Sequence, residues 1–489
     1  MSMLSEYGGQ MLRRKSVDAL RAMALAETGG GARLKRSLGV TRLTMIGISS
    51  TIGTGIFFIL GVATPLAGPA VVISFVIAGL AAALSALCYA ELVSALPTAG
   101  SAYSAVYAAL GEAPAFLVAA CLFLEYGVSI SAVSVTWGQY LNRLGDDLFG
   151  LHLPHVLSAA PAEGGLVNLP AVALVGLATL LLLRGARESA TVNAIMVLLK
   201  VGVLIMFIVV GATAFNAGNF HPFMPHGVSG IGAAAALIFF TYVGIDSVAT
   251  AGEEAINPHR TLPLATMIAF IVVTCVYLGV AIVALGAQPA AEFGGQEAGL
   301  AVILYKVTQA RWPSVILTAG AIISIFSIVL VLLYSQTRVA YAVSRDGLLP
   351  SLFSRVDPRT GVPSSNTITL AALAALLSGF LPLGMLAELV SVGTLSAFTM
   401  AALSVIVLRV RQPDLPRGFR TPLYPLTPLA SMALCLYLLA GLAPLTWSLF
   451  GLWLVAAAMV YVFYSMRRSH LCPDCRTWEK PGPRAAPLG

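Results

Sequence analysis

A succession of long apolar stretches constrains this chain's fold more than any other feature of the sequence. A helix rises 1.5 Å per residue, so about 20 apolar residues cross the ~30 Å hydrocarbon core of a bilayer. Twelve stretches qualify: 43–66, 69–94, 114–141, 167–184, 190–214, 229–250, 263–286, 312–342, 366–382, 386–409, 426–444 and 447–466. Because backbone polar groups must be paired in lipid, these stretches predict an all-α integral membrane protein of about twelve spans.

Composition and the chain ends agree with this fold class. Of the 489 residues, 58% are hydrophobic and only 10% are charged, whereas soluble domains carry about 25% charged residues. The first 42 residues are polar and basic and do not resemble a cleaved signal peptide. We therefore divide the chain into an N-terminal tail (1–42), a transmembrane domain (43–466) and a C-terminal tail (467–489).

The distribution of Lys and Arg predicts the orientation, since cytoplasmic loops carry an excess of both. With both termini inside, 24 of the 28 basic residues are cytoplasmic, and Arg143, Lys306 and Arg311 lie in outer loops. This predicts a multi-pass plasma-membrane protein, surrounded by lipid, with both ends in the cytoplasm. Topology accounts for the positive charge, so no nucleic-acid partner is needed.

Two spans carry polar, glycine-containing interruptions. The first span reads GISSTIGTGIFFILG at 47–61, and the sixth reads IFFTYVGIDS at 238–247. Glycine lowers helix stability by about 1 kcal/mol relative to alanine, so both are places for a break. Glycines also serve tight helix packing. A pair of interruptions five spans apart, one with an acid, instead favours an inverted repeat of five plus five spans.

A pair of broken spans defines a particular kind of site. The N–H groups at the start of a half-helix can hold a carboxylate, and freed carbonyls at the opposite end can hold an ammonium. Such a site suits the zwitterionic backbone of an amino acid.

Four motifs carry a family resemblance: GISSTIGTGIF in span 1, PTAGSAYS after span 2, GEEAINPHRTLP after span 6 and SRDGLLP after span 8. In this order they resemble the amino acid–polyamine–organocation (APC) superfamily, most closely the cationic amino acid transporter family of bacterial type. The resemblance covers roughly residues 38–465. It implies a leucine-transporter-type fold, with broken spans 1 and 6, and transport by alternating access.

The resemblance also implies a substrate site at the two interruptions. Its residues are Ser50, Thr51, Gly53, Thr54, Gly55, Phe240, Thr241 and Val243. Amides around 53–55 and the Thr54 hydroxyl would meet the carboxylate, and carbonyls at the two helix ends would meet the ammonium. The Phe240 ring resembles a gate over the substrate, although a Phe there equally suits ordinary core packing.

Three ionisable residues lie deep within spans, at Glu125, Lys200 and Asp246. Each is costly in lipid, so function or pairing is expected. The segment NAIMVLLKVGVLIMF resembles family members in which a span-5 lysine replaces the sodium held between spans 1, 5 and 8. Burial opposes a lysine's charge and nearby carboxylates favour it, so its charge can follow conformation. This predicts proton coupling through Lys200, with Asp246 and Glu125 as partners or relays; Glu125 could instead cap a structural network.

The sequence says less about the side chain of the substrate than about its amino acid backbone. The resemblance suggests cationic amino acids, whereas the small apolar surroundings fit small neutral L-amino acids equally well. We predict a secondary active L-amino acid permease without a cofactor, and an exchanger or an amino-acid sensor is the alternative. The tails are too short for a signalling domain. The sequence contains no nucleophile–base constellation, and the single pair Cys472 and Cys475 does not make a zinc site, so we predict no enzyme.

Overall fold

A computed structural model describes residues 13–15, 38–53, 55–96, 100–184, 190–244, 248, 255–296, 298–357 and 362–471. Within these ranges the chain is helical, and the only strand-like pairing is an isolated bridge between Leu38 and Ala255. Seven helices are long and apolar enough to cross a membrane, and five shorter apolar helices accompany them. The predicted all-α fold of a membrane protein is thus observed.

The longer helices follow the order of the predicted spans. They are α1 (Val40–Thr51), α2 (Gly55–Ala67), α3 (Val71–Ala95), α4 (Ser101–Ala109), α5 (Glu112–Phe149), α6 (Leu169–Leu183), α7 (Ala190–Gly211), α8 (Gly227–Ile238), α9 (Pro258–Ala287), α10 (Gly299–Thr308), α11 (Arg311–Arg345), α12 (Ser364–Phe380), α13 (Leu383–Arg411), α14 (Leu426–Ala440) and α15 (Pro444–Val460). Short helices and turns are His155–Ser158, Gly68–Ala70, Pro161–Glu163, Ala212–Ala214, Ala217–Phe220, Phe239–Tyr242, Ala290–Glu292, Ser351–Phe353, Tyr461–Ser465 and Met466–Arg468.

Two short helices lie between the predicted spans. The segment between predicted spans 2 and 3 contains the nine-residue α4. The ten-residue α10 lies where we expected a loop between spans 7 and 8. At 1.5 Å per residue, a helix of this length covers about half of the hydrocarbon core. The sequence therefore did not predict a membrane span at α10.

Small residues allow the central helices to pack closely. A Cβ atom on Gly47 of α1 would lie 2.9 Å from the Cβ of Ala269 on α9. On α11, a Cβ atom on Gly320 would lie 2.6 Å from Val203 of α7. Close approach of this kind is how membrane helices associate, because lipid supplies no hydrophobic driving force between them.

Candidate functional site

The first interruption begins where side-chain hydroxyls donate hydrogen bonds to backbone carbonyls of α1. The Ser50 hydroxyl donates to the carbonyl of Ile46 at 2.9 Å, and the Thr51 hydroxyl donates to that of Gly47 at 2.8 Å. Back-bonding of this kind weakens and bends a helix. The helix ends at Thr51 and α2 begins at Gly55, so the chain breaks within the predicted stretch. Thr54 lies outside the described residues.

The second interruption ends α8. The helix stops at Ile238, tightens into the turn Phe239–Tyr242, and becomes extended at Val243. Gly244 then has a φ of +97°, a conformation that glycine adopts without steric cost. Asp246, which we expected to take part here, lies outside the described residues.

The two interruptions contact each other through glycines. A Cβ atom on Gly55 would lie 2.8 Å from the Cα of Thr241, and one on Gly244 would lie 2.5 Å from the carbonyl oxygen of Ser50. The Ser50 hydroxyl also donates to the carbonyl of Gly244 at 2.8 Å. Each interruption therefore places a glycine directly against the backbone of the other.

Tyr277 of α9 joins the same two segments and was missed by sequence analysis. Its fully buried hydroxyl lies 2.7 Å from the carbonyl oxygen of Thr51 and 3.0 Å from that of Thr241, and can donate to either. The sequence contains only a weak signal for this role of Tyr277. A tyrosine within an apolar span needs a partner for its hydroxyl, but the sequence does not identify that partner.

Backbone groups at the break offer both polarities. The N–H of Gly53 donates to the carbonyl of Thr51 at 2.8 Å, closing a tight turn before α2. The first-turn N–H groups of a helix have no partner within it, and its N-terminus carries a partial positive charge. The start of α2 can thus attract a carboxylate, while the end of α1 presents carbonyl oxygens of the opposite polarity.

Apolar side chains surround these backbone groups. Phe240, 5% exposed, packs on Phe58 of α2 with ring centroids 5.6 Å apart. From α11, Ile328 covers the first break so closely that a Cβ atom on Gly53 would lie 2.7 Å from it. The break therefore has polar backbone beside apolar walls.

Lys200 lies beside the first interruption. Its side chain is 1% exposed, and its ammonium donates to the carbonyl of Ser49 at 3.1 Å and to the Ser49 hydroxyl at 3.3 Å. Ser49 is in the last turn of α1, where the helix dipole favours a positive charge. Lys200 is thus connected to the helix end that precedes the break.

Glu125 is fully buried, about a third of the way along α5. Gly393 of α13 packs against it, since a Cβ atom there would lie 3.4 Å from the Glu125 backbone nitrogen. Its role as a partner or relay of Lys200 stays a prediction.

The described part of the chain contains no cluster of three His, Cys, Asp or Glu side chains that could hold a metal ion. Cys88, Cys121 and Cys435 are buried free thiols, and Cys275 is an exposed one. Cys472 and Cys475 lie outside the described residues.

Apolar helices of spanning length are those of a multi-pass membrane protein, and in this one the ends of α1 and α8 meet at buried polar backbone. Residues 38–472 match the sequence model of the amino acid permease family, and the chain belongs to that family. Membership makes it a transporter rather than an enzyme, and it confirms the APC resemblance.

Three curated relatives illustrate the range of this similarity. The chain is 42% identical to a branched-chain amino acid permease of Bacillus subtilis, over 95% of this chain and 99% of the relative. It is 41% identical to a methylthioribose transporter of the same organism, over 94% and 99%. Cationic amino acid transporter 4 of Arabidopsis thaliana, vacuolar, is 39% identical, over 83% of this chain and 68% of the relative.

Proposed function

We propose that this protein imports L-amino acids across the plasma membrane by alternating access, coupled to protons. Its twelve spans form a five-plus-five inverted repeat with both termini in the cytoplasm. The substrate binds between the interrupted helices, its carboxylate at the amides at the start of α2 and its ammonium at the carbonyls that end α1 and α8.

The contact of Tyr277 with both interruptions carries this proposal. The Tyr277 hydroxyl lies within hydrogen-bond distance of the carbonyl oxygens of both Thr51 and Thr241. The two breaks are therefore close enough for the polar end of one small ligand to contact both. The positive start of α2 lies on the other side of the same break. Opposite partial charges on the two sides of one break suit an α-carboxylate and an α-ammonium on one carbon.

The apolar walls favour a neutral, apolar side chain. Phe240, Phe58 and Ile328 lie beside the interruptions, and apolar walls attract aliphatic groups without satisfying a charge. The similarity to a branched-chain amino acid permease supports this preference. We therefore rank leucine, isoleucine and valine above small neutral and cationic amino acids.

Proton coupling is supported by the position of Lys200. The charged ammonium of Lys200 donates to Ser49 at the end of α1, and charge-assisted hydrogen bonds are stronger than those of a neutral amine. Losing its charge would weaken this contact next to the substrate site, which links protonation to conformation. Glu125 and Asp246 are the proposed partners or relays.

Purified protein in liposomes tests the proposal. Uptake of labelled leucine, arginine and methylthioribose is measured with and without an inside-alkaline gradient, in sodium-free buffer. We expect concentrative leucine uptake only with the gradient. Uptake that requires an internal amino acid and ignores the gradient would identify an exchanger, and binding without uptake would identify a sensor. Methylthioribose is a sugar thioether without an amino acid backbone, so uptake of it alone would overturn the zwitterion site.

A further inference from the structure

A buried carboxylate near the end of α3 is the centre of a polar cluster that lies apart from the proposed substrate site. Glu91 is 2% exposed. The Arg409 guanidinium, in the last turn of α13, donates from Nε to one carboxylate oxygen at 2.8 Å and from Nη2 to the other at 2.6 Å. The Thr421 backbone N–H donates to the second oxygen at 2.7 Å, and Nε of Arg417 lies 3.3 Å from the first. These four residues form the Glu91 clamp, in which bidentate and charge-assisted hydrogen bonds fix the carboxylate.

The clamp also folds the segment 412–425 between α13 and α14, which we call the strap. The last carbonyls of a helix have no partner within it. Arg417 supplies donors for carbonyls at the end of α13 and in the strap, at 3.0 to 3.2 Å, namely those of Leu408, Gln412, Pro413 and Leu415. The strap is therefore held to α13 by the same guanidinium that faces Glu91.

The strap reaches the start of α9 as well as the end of α3. The Phe419 N–H donates to the Ser94 hydroxyl at 3.1 Å, and Nδ1 of His259 donates to the Ser94 carbonyl at 2.9 Å. A Cβ atom on Gly418 would collide with His259, which lies in the first turn of α9. The end of α3, the start of α9 and the end of α13 are thus joined on one face of the protein.

The two halves of α13 are attached in different ways. In the first half, Gly393 packs on α5, since a Cβ atom there would lie 3.0 Å from the carbonyl oxygen of Cys121. From Phe398 onward α13 follows other partners: the Phe398 ring lies 4.9 Å from that of Tyr89 on α3 and 5.7 Å from that of Phe239 at the second interruption. Packed helices can slide by small shear movements. A buried ion cluster cannot separate in this way, because separation leaves charges uncompensated.

We propose that Glu91 is a positioning residue for transport: through the clamp, α3, the start of α9 and the half of α13 from Phe398 onward move as one body when the site changes sides. The inference rests on the proposed function. Because α3 follows the first interrupted span and α9 follows the second, the clamp passes the movement of both interruptions to α13.

Spin-label distances test the shared movement without a transported substrate. Labels at the exposed positions Val410 of α13 and Leu264 of α9, in a cysteine-free protein, report their separation by double electron–electron resonance. We expect one narrow distribution that is the same with and without leucine, and a broader one in Glu91→Gln. Glu292→Gln, the matched control at an exposed carboxylate paired with Lys306, should keep the narrow distribution. A distribution that Glu91→Gln leaves unchanged, or a wild-type distance that shifts with leucine, overturns the clamp whether or not leucine is transported.

Leucine exchange in liposomes, with leucine on both sides, measures the effect on transport. Glu91→Gln should slow exchange by about tenfold or more, because the buried arginines lose their counter-charge. Leucine affinity should be retained, since the partners of Glu91 lie at the ends of α3 and α13 and in the strap. A protein that merely unfolds would lose both, and gel filtration checks folding.

Arg409→Lys is the second variant, and it replaces Glu91→Gln in both measurements if that protein does not fold. It keeps the charge, but one ammonium cannot match both carboxylate oxygens, so exchange should slow less than in Glu91→Gln. Glu292→Gln should match wild type. Wild-type exchange rates in folded Glu91→Gln and Arg409→Lys would overturn the positioning role while leaving the proposed transport intact.

Discussion

Three glycines near the site serve different purposes. Gly47 allows α1 to approach α9, as in ordinary helix packing. Gly244 has a positive φ and contacts Ser50, whereas Gly55 lies in helical backbone and contacts Thr241. The three glycines are therefore required for different reasons. Gly55 gives the clearer test of the site, because a side chain there would meet Thr241 without also straining a positive φ.

Replacing Gly55 with Leu should abolish leucine binding in a folded protein. Even the first added carbon would lie 2.8 Å from backbone of the opposite break. Overpacking costs about 1–3 kcal/mol, which corresponds to a loss of about fivefold to 150-fold in affinity when it falls on the site, and the three further carbons of Leu add to this cost. Binding is measured by scintillation proximity and folding by gel filtration.

Gly176→Leu is the matched control, because a Cβ atom there meets nothing within 4 Å. Full leucine binding by a monodisperse Gly55→Leu protein would remove the proposed site from this break.

Tyr277→Phe should weaken substrate binding while leaving the ring packing intact. The variant loses a hydroxyl shared by Thr51 and Thr241, and a buried hydrogen bond contributes about 1 kcal/mol, or about fivefold in affinity. The measurement is leucine affinity in detergent.

Tyr242→Phe provides the comparison. Its ring lies 5.5 Å from that of Tyr277, but its hydroxyl points toward Gly79 of α3. Equal affinity losses in the two variants would argue that Tyr277 has no special role in aligning the breaks.

At the scale of elements, sequence could predict the interruption of α1 because its cause is local. Glycines and back-bonding hydroxyls lie within nine residues, from Gly47 to Gly55. The contacts of Tyr277 and Glu91 could not be predicted, since each joins segments far apart in the chain. Tyr277 reads as one more apolar residue of its span, and Glu91 as one charge near the end of its span.

The Lys200 contact with α1 predicts how charge enters the transport cycle. Lys200→Met should lose gradient-driven leucine accumulation and retain binding, since the proposed substrate contacts lie on other helices. Uptake is followed in liposomes with an inside-alkaline gradient.

Lys306→Met, at an exposed lysine paired with Glu292, should accumulate leucine like wild type. Equal accumulation by Lys200→Met would show that Lys200 acts only in packing.

At the scale of the whole molecule, the uneven distribution of basic residues predicts the orientation. Epitope tags at both ends should be inaccessible in sealed cells and become labelled after permeabilisation. A tag inserted after Gly164, in an exposed turn between α5 and α6, should be labelled in sealed cells. External labelling of only one end would require an odd number of spans, and external labelling of both ends would reverse the orientation.

The reciprocal glycine contacts have a consequence for how this site can change over evolution. Gly55 faces Thr241 and Gly244 faces Ser50, so a substitution at one position alters the space available at its counterpart. Residues in contact show non-additive effects, so a double-mutant cycle across either pair should give a large coupling energy. A new side chain at one break is then tolerated only after the opposite backbone has moved. The two breaks are expected to diversify together, and substrate preference to drift through the side chains around them.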